Sequence, residues 1–185
     1  MMAENPDENK VTLSYSLKVL DLQQAAFSQE LLSVLKKESD TFLLADELAR
    51  QQSTSIDEEK LDAEATLPAQ TWLIWAETSS NNDSEDDPAV AYPVGIGSIS
   101  EGEVGIAVLK DYQNQGLGRL TIRAMVDWSE KVGYERLWLD VDVTNAAARH
   151  LYDELGFAIQ PGGEQTVVLP TGRTATLERR ELVLR

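Results

Sequence analysis

Val108-Leu-Lys-Asp-Tyr-Gln-Asn-Gln-Gly-Leu-Gly118 joins an apolar strand to a helix through a turn that carries two glycines. A helix start exposes backbone N–H groups that have no partner inside the helix, and their dipoles sum to roughly half a positive charge at that end. Glycine has no Cβ, so phosphate oxygens can come close to those amides. The stretch is therefore a candidate pyrophosphate cradle. The alternative is a glycine-rich turn that holds nothing. Two familiar phosphate loops fit it badly. A dinucleotide fingerprint needs a third glycine where Thr121 stands. A Walker A loop needs Lys-Ser/Thr after its last glycine, and Arg119-Leu120 stand there.

The flanks supply a regular order of elements. Upstream, residues 92–99 and 103–109 are expected strands joined tightly at Glu101-Gly102. Downstream, residues 117–131 are an expected helix with Leu117, Leu120, Ala124, Trp128 and Val132 as its buried stripe and Gly133 as its stop. Residues 136–143 alternate as a strand, with Leu137, Leu139, Val141 and Val143 on one face. Residues 145–155 form a helix that shares Ala148, Leu151, Tyr152 and Leu155 on one side and ends at Gly156. A strand begins at 157–159, Pro161-Gly-Gly163 is expected to turn, and 166–169 and 179–184 are terminal strands paired across 170–172.

Nearer the N-terminus, residues 1–10 are expected to be disordered and 11–19 to form a strand. Asp21 with Gln24 has the form of a capping box before a helix carrying Phe27, Leu31, Val34 and Leu35. Residues 40–47 fit no single element. Ser55-x-x-Glu58 opens a polar helix to about residue 65, residues 71–77 form a strand, and 79–88 form a polar loop. A meander followed by β-α-β crossovers gives a mixed sheet with helices on both faces. No repeat or linker divides the chain, so residues 11–185 are expected to form one domain.

A second block stands some thirty residues beyond the cradle. It is Asn145-Ala-Ala-Ala-Arg-His-Leu-Tyr-Asp-Glu-Leu-Gly-Phe157. Together, Gln113-x-x-Gly116-x-Gly118 and this N-x-x-A-x-x-L-Y-x-x-x-G-F run resemble the two signatures of the GNAT superfamily of N-acetyltransferases. The resemblance covers residues 94–160. It implies an α/β (α+β) fold with a mixed, largely antiparallel sheet of six to seven strands, helices on both faces and a splayed central strand pair. It also implies transfer of an acetyl group from acetyl-CoA to a primary amine, by direct attack in a ternary complex and without a metal.

The resemblance also assigns roles. The pantetheine arm would lie between the strand at 104–109 and the strand at 136–143, against backbone groups of Ile106, Ala107 and Val108. These three are ordinary sheet residues in the plainer reading. Amides of Gln113, Asn114, Gln115, Gly116, Leu117 and Gly118 would hold the pyrophosphate. Gln115 stands where many relatives carry a basic residue, which shifts charge compensation onto Arg119. Asn145 would bond the CoA arm or cap its helix. Tyr152 is the candidate general acid for the departing thiolate, the alternative being a packed tyrosine in a helix stripe. Glu103 is the candidate base that takes a proton from the amine, the alternative being a solvated turn residue. Asp140 and Asp142 are candidates for an acidic mouth. His150 is assigned no role.

Composition bounds the rest. The 185 residues carry 32 Asp+Glu against 16 Lys+Arg, a net charge of −16. Such a field repels nucleic acid and favours cationic partners, although solubility alone is an equal explanation. The small or peptide-borne amine that the resemblance implies would be drawn to this field, neither nucleic acid nor a membrane is expected as partner, and a homodimer is left open. There is no cysteine, which removes a cysteinyl acyl-enzyme on this chain. A polar, acidic start without an apolar h-region argues against a signal peptide, and a cytoplasmic location is expected. Two rival activities remain: a CoA-binding sensor without turnover, and acylation of protein N-termini or lysines.

Overall fold

Alternating apolar and polar residues become seven strands in the computed structural model, which describes residues 12–21, 24–39, 67–79 and 90–185. The strands are β1 (Thr12–Val19), β2 (Gln70–Ser79), β3 (Ala91–Ser100), β4 (Glu103–Val108), β5 (Arg136–Asp142), β6 (Ala158–Val168) and β7 (Thr174–Val183). The helices are α1 (Ala25–Glu38), α2 (Leu117–Val132) and α3 (Ala146–Glu154). The expected tail at 1–10, the segment at 40–47, the polar helix at 55–65 and the loop beyond Ser79 lie outside the described residues.

The strands form one sheet in the order β1-β2-β3-β4-β5-β7-β6. Every neighbouring pair is antiparallel except β4 and β5. The β3–β4 turn places Glu101 at φ 52° and Gly102 at φ 81°, the left-handed pair that a tight two-residue hairpin requires. Successive strand residues face opposite sides of a sheet. On β2, Leu73 and Trp75 pack with Leu31 and Leu35 of α1. Trp72 instead joins Ile99, Val104, Leu137 and Leu139 against Ile122 and Met125 of α2 and Tyr152 of α3. So α1 covers one face and α2 and α3 cover the other, as the resemblance implied.

Three local readings are revised. First, the buried stripe of α2 is Leu117, Thr121, Ile122, Met125 and Ser129, while Leu120 is 63% exposed. A Cβ on Gly97 of β3 would fall 2.8 Å from Thr121 Cγ2 and 2.9 Å from Met125 Sδ. The bare backbone there lets α2 approach closely, and that contact sets the helix's roll. Ser129 tolerates burial because its hydroxyl donates to the Met125 carbonyl at 2.8 Å. Second, Pro161-Gly-Gly163 is no turn. β6 runs through it with a register shift between Ile159 and Glu164. Third, the Asp21 carboxylate accepts from the Gln24 amide at 3.0 Å, but Gln24 Oε1 is buried without a partner among the described residues, so only half of the capping box forms there. The two terminal strands do pair across 170–172, with β7 starting earlier than expected.

Candidate active site

β3 follows β4 along its length, whereas β5 follows β7. The parallel pair β4 and β5 therefore meets only at its base. Glu103 pairs with Trp138, and the Trp138 amide donates to the Gly102 carbonyl at 2.9 Å. Above that rung the two strands part and enclose a cavity of about 730 Å³. Residues 104–108 of β4 form one wall and Asp140, Val141 and Asp142 of β5 another. Asn145, Ala148 and Tyr152 close it from the α3 side, and Leu35 and Glu38 from α1.

The glycine turn sits at the far end. Asn114 at φ 61° and Gly116 at φ 81° curl the backbone into α2. The first bond of that helix runs from the Leu120 amide to the Gly116 carbonyl at 3.1 Å. The amides of Leu117, Gly118 and Arg119 come before it and have no helical acceptor. The two glycines have different reasons. A Cβ on Gly116 would meet nothing within 4 Å, so its left-handed conformation is what calls for glycine. A Cβ on Gly118 would lie 3.2 Å from Leu151 Cδ2, so this glycine lets the start of α2 approach α3.

The side chains of the turn are already engaged. Gln113 Nε2 donates to the Val108 carbonyl at 2.9 Å, so that candidate pantetheine contact is shared with the turn itself. Gln115 accepts from the Tyr15 hydroxyl and reaches the Asp111 carbonyl at 3.4 Å. Arg119 forms an ion pair with Glu154 at the end of α3, and His150 Nε2 lies 3.8 Å from the same carboxylate. The counter-charge expected of Arg119 is thus drawn toward α3, and Arg119 presents its backbone amide to the cradle.

Asn145 caps α3, its Oδ1 accepting from the Ala148 amide at 3.1 Å while the residue also lines the cavity. Tyr152 is 8% exposed, and burial pushes its hydroxyl up to about 12 against the downward pull of Arg180. Its ring packs 5.8 Å from that of Phe157. The hydroxyl has no hydrogen-bond partner among the described residues. It stays protonated across the physiological range and is suited to donate.

Glu103, at the start of β4, lines the cavity from a position that is itself open to solvent. Burial raises its carboxyl above the usual range, Asp140 and Glu101 add to the rise, and Arg179 opposes it. Its carboxylate makes no hydrogen bond within the described residues. The two aspartates expected at an acidic mouth are otherwise committed. Arg179 holds Asp140 through Nε at 3.0 Å and Nη2 at 2.8 Å, with its guanidinium 4.1 Å above the Trp138 ring. Burial works to raise Asp142, but bonds from the Thr144 amide at 2.9 Å, the Thr144 hydroxyl at 2.7 Å and Arg173 at 3.0 Å hold it below the usual carboxylate range.

Sequence reasoning missed two arginines of β7 that stand behind the cavity wall, Arg179 on Asp140 and Arg180 on α3. A run of charges at 178–181 inside an otherwise apolar terminal strand was the available signal.

Residues 42–157, well over half of the chain, match the acetyltransferase (GNAT) family. The chain belongs to that family. Among curated relatives, this GNAT chain is 54% identical over 52 residues to the ribosomal protein bS18-alanine N-acetyltransferase of Escherichia coli, covering 28% of this chain and 35% of that enzyme. The chain thus spans about a third of that relative's length. Among solved structures it is similar to an acetyltransferase of the GNAT family from Streptococcus pneumoniae, with a TM-score of 0.64 and 20% identity over 92% of this chain and 100% of that one. It is also similar to the spermidine N-acetyltransferase of Vibrio cholerae in complex with CoA and spermine, with a TM-score of 0.57 and 19% identity over 91% and 95% of the two chains. The likeness to the two structures establishes the GNAT fold. No helix among the described residues is long and apolar enough to cross a membrane.

Proposed function

We propose that this chain is an acetyl-CoA-dependent N-acetyltransferase acting on a primary amine. The observation that carries the reading is the continuity of one cavity. It runs along the unpaired edge of β4 as far as Gln113, at the foot of the glycine turn that leads into α2, with Tyr152 and Glu103 in its walls. An extended molecule with a diphosphate at one end and a thioester at the other suits that shape. The α2 amides bind the diphosphate and β4 backbone groups bind the arm between.

The proton and bond changes balance as follows. Glu103 accepts a proton from the incoming ammonium, directly or through water, leaving a neutral amine. The amine nitrogen attacks the thioester carbonyl carbon, the C–S bond breaks, and the sulfur takes a proton from the Tyr152 hydroxyl. The nitrogen, positively charged after attack, sheds its second proton, which restores the Tyr152 hydroxyl through water, and the proton on Glu103 passes to solvent. With no cysteine in the chain, no acyl-cysteine intervenes. The E. coli relative is named for an alanine of ribosomal protein bS18 and the V. cholerae neighbour for spermidine, and both names support an amine acceptor.

A second reading is a CoA-binding protein without turnover. It draws on Gln115, which brings no charge to the turn, and on Arg119, which is paired with Glu154. Free-thiol release from acetyl-CoA against a panel of amines and peptide N-termini decides between the two. Release that depends on the amine supports the enzyme. Calorimetric binding of acetyl-CoA with no release on any amine supports the sensor, and absence of binding overturns both.

A further inference from the structure

Helix α3 has nine residues, and isolated helices shorter than about 12 residues are marginal in water, so packing must hold it. Ala148 and Tyr152 turn one side of α3 to the cavity. One residue further on, Arg149 and Asp153 stand about 100° round the helix and meet β7. The meeting point is Arg180, which is 1% exposed. Its Nε donates to Glu178 Oε1 at 2.7 Å, and its Nη1 donates to the Arg149 carbonyl at 3.2 Å and to Asp153 Oδ1. Arg149 in turn donates to both oxygens of Glu178, at 3.0 Å and 3.3 Å, and to the Val143 carbonyl at 3.2 Å.

A guanidinium presents its donors in a rigid planar fork. Satisfying a strand carboxylate, a helix carbonyl and a helix carboxylate at once fixes both the height and the roll of α3 on β7. Buried ion clusters add little net stability compared with apolar packing of the same volume, and fixing register is their best-attested use. Tyr152 itself has no hydrogen bond to hold its hydroxyl among the described residues, so its position depends on the helix that bears it.

We propose that Arg180 is a positioning residue for this acetyltransferase: by fixing the roll of α3 on β7 it sets where the Tyr152 hydroxyl stands in the cavity. The inference rests on the general-acid reading of Tyr152. The same guanidinium also draws the Tyr152 hydroxyl downward against its burial, which favours proton transfer to the thiolate.

The test is a double-mutant cycle on the full chain. Asp153→Ala removes an exposed handle of the cluster, and R180M/E178L replaces its buried pair with apolar side chains. Each is made alone and with Tyr152→Phe, and each is assayed by amine-dependent thiol release and by acetyl-CoA calorimetry. Loss of position should lower kcat on the order of ten- to a hundredfold with acetyl-CoA affinity held within about threefold. In the Tyr152→Phe background the same changes should cost less than about twofold more, because both act on one group. Equal losses in both backgrounds overturn the inference. So does unchanged kcat in a folded R180M/E178L protein or, if that variant does not fold, unchanged kcat in Asp153→Ala. Wild-type turnover in Tyr152→Phe alone overturns the general-acid reading itself, which separates the two failures.

Discussion

The hydroxyl of Tyr15, on the edge strand β1, donates at 2.5 Å to Oε1 of Gln115 in the glycine turn before α2. The other end of the same amide reaches the Asp111 carbonyl. Gln115 therefore ties the turn to the sheet's far edge at the position where a basic side chain would bring charge. Tyr15→Phe keeps the ring and removes the tie. Acetyl-CoA should then bind several-fold more weakly, in line with the roughly 1 kcal/mol net contribution of one hydrogen bond. The kcat at saturating acetyl-CoA should stay as it was. Calorimetry with steady-state kinetics checks both, and a lowered kcat with unchanged affinity would contradict the assignment.

Tyr152→Phe removes one oxygen from a well-packed ring beside Phe157. Stability should change little, because the hydroxyl makes no hydrogen bond among the described residues. Turnover should fall on the order of a hundredfold with acetyl-CoA affinity retained. Thiol release under single-turnover conditions isolates the chemical step.

Glu103 must be ionised to accept a proton, and its carboxyl is raised by burial and by Asp140. Activity should therefore fall with decreasing pH along a limb set above the ordinary glutamate value of about 4.3. Glu103→Gln should abolish that limb and lower kcat. Arg179→Met would remove the group that opposes the rise and also release Asp140, so the limb should move to higher pH. A profile of kcat/KM against pH for the three proteins tests the sequence of shifts.

Glu178 is 3% exposed, and although burial works to raise it, Arg149 and Arg180 hold its carboxyl below the usual range. A depressed carboxylate contributes stability that is fully present above its unfolded value of about 4.3 and is lost as pH falls through the folded value. Thermal midpoints should thus drop on acidification below about pH 4, where the unfolded chain takes up the proton first. Glu178→Gln should flatten that drop and lower the midpoint at neutral pH. A slope identical to wild type would remove Glu178 from the acid sensitivity.

The net charge of −16 repels itself in the folded chain. Surface pairs such as Lys18–Glu77 and Arg136–Glu181 return little and weaken in salt. Screening of the like-charge field, with a Debye length near 8 Å at about 0.15 M, should outweigh that loss. The thermal midpoint should rise from low salt to molar potassium chloride. A fall would show that attractive pairs dominate the surface.

Local signals were legible in the sequence. The helix start at Leu117, the Gly133 stop and the cap that was one of the two readings of Asn145 each depend on a few neighbouring residues, and each stands where its pattern placed it. Readings that depended on a distant partner were not legible. The inward roll of Thr121 and Met125 comes from Gly97, over twenty residues away on β3. The bulge at Pro161-Gly-Gly163 exists only against β7: a Cβ on Gly163 would meet Arg179 Cβ at 2.8 Å. The engagement of Arg119 by Glu154 and the burial of Arg180 required knowing that α3 lies between α2 and β7. Apolar periodicity carries no information about buried charges, so the ion pairs behind the site stayed hidden.

The single rung between Glu103 and Trp138 has a mechanical consequence. Strands one to four and strands five to seven form two panels whose backbones are stitched to one another at a single point, with helices spanning the seam. A guest lodged along that seam acts as a wedge and a clasp together, bonding one panel's exposed edge while touching the other. Amide protons on both margins of the seam should exchange more slowly when acetyl-CoA is bound, and the panels should then melt as one body.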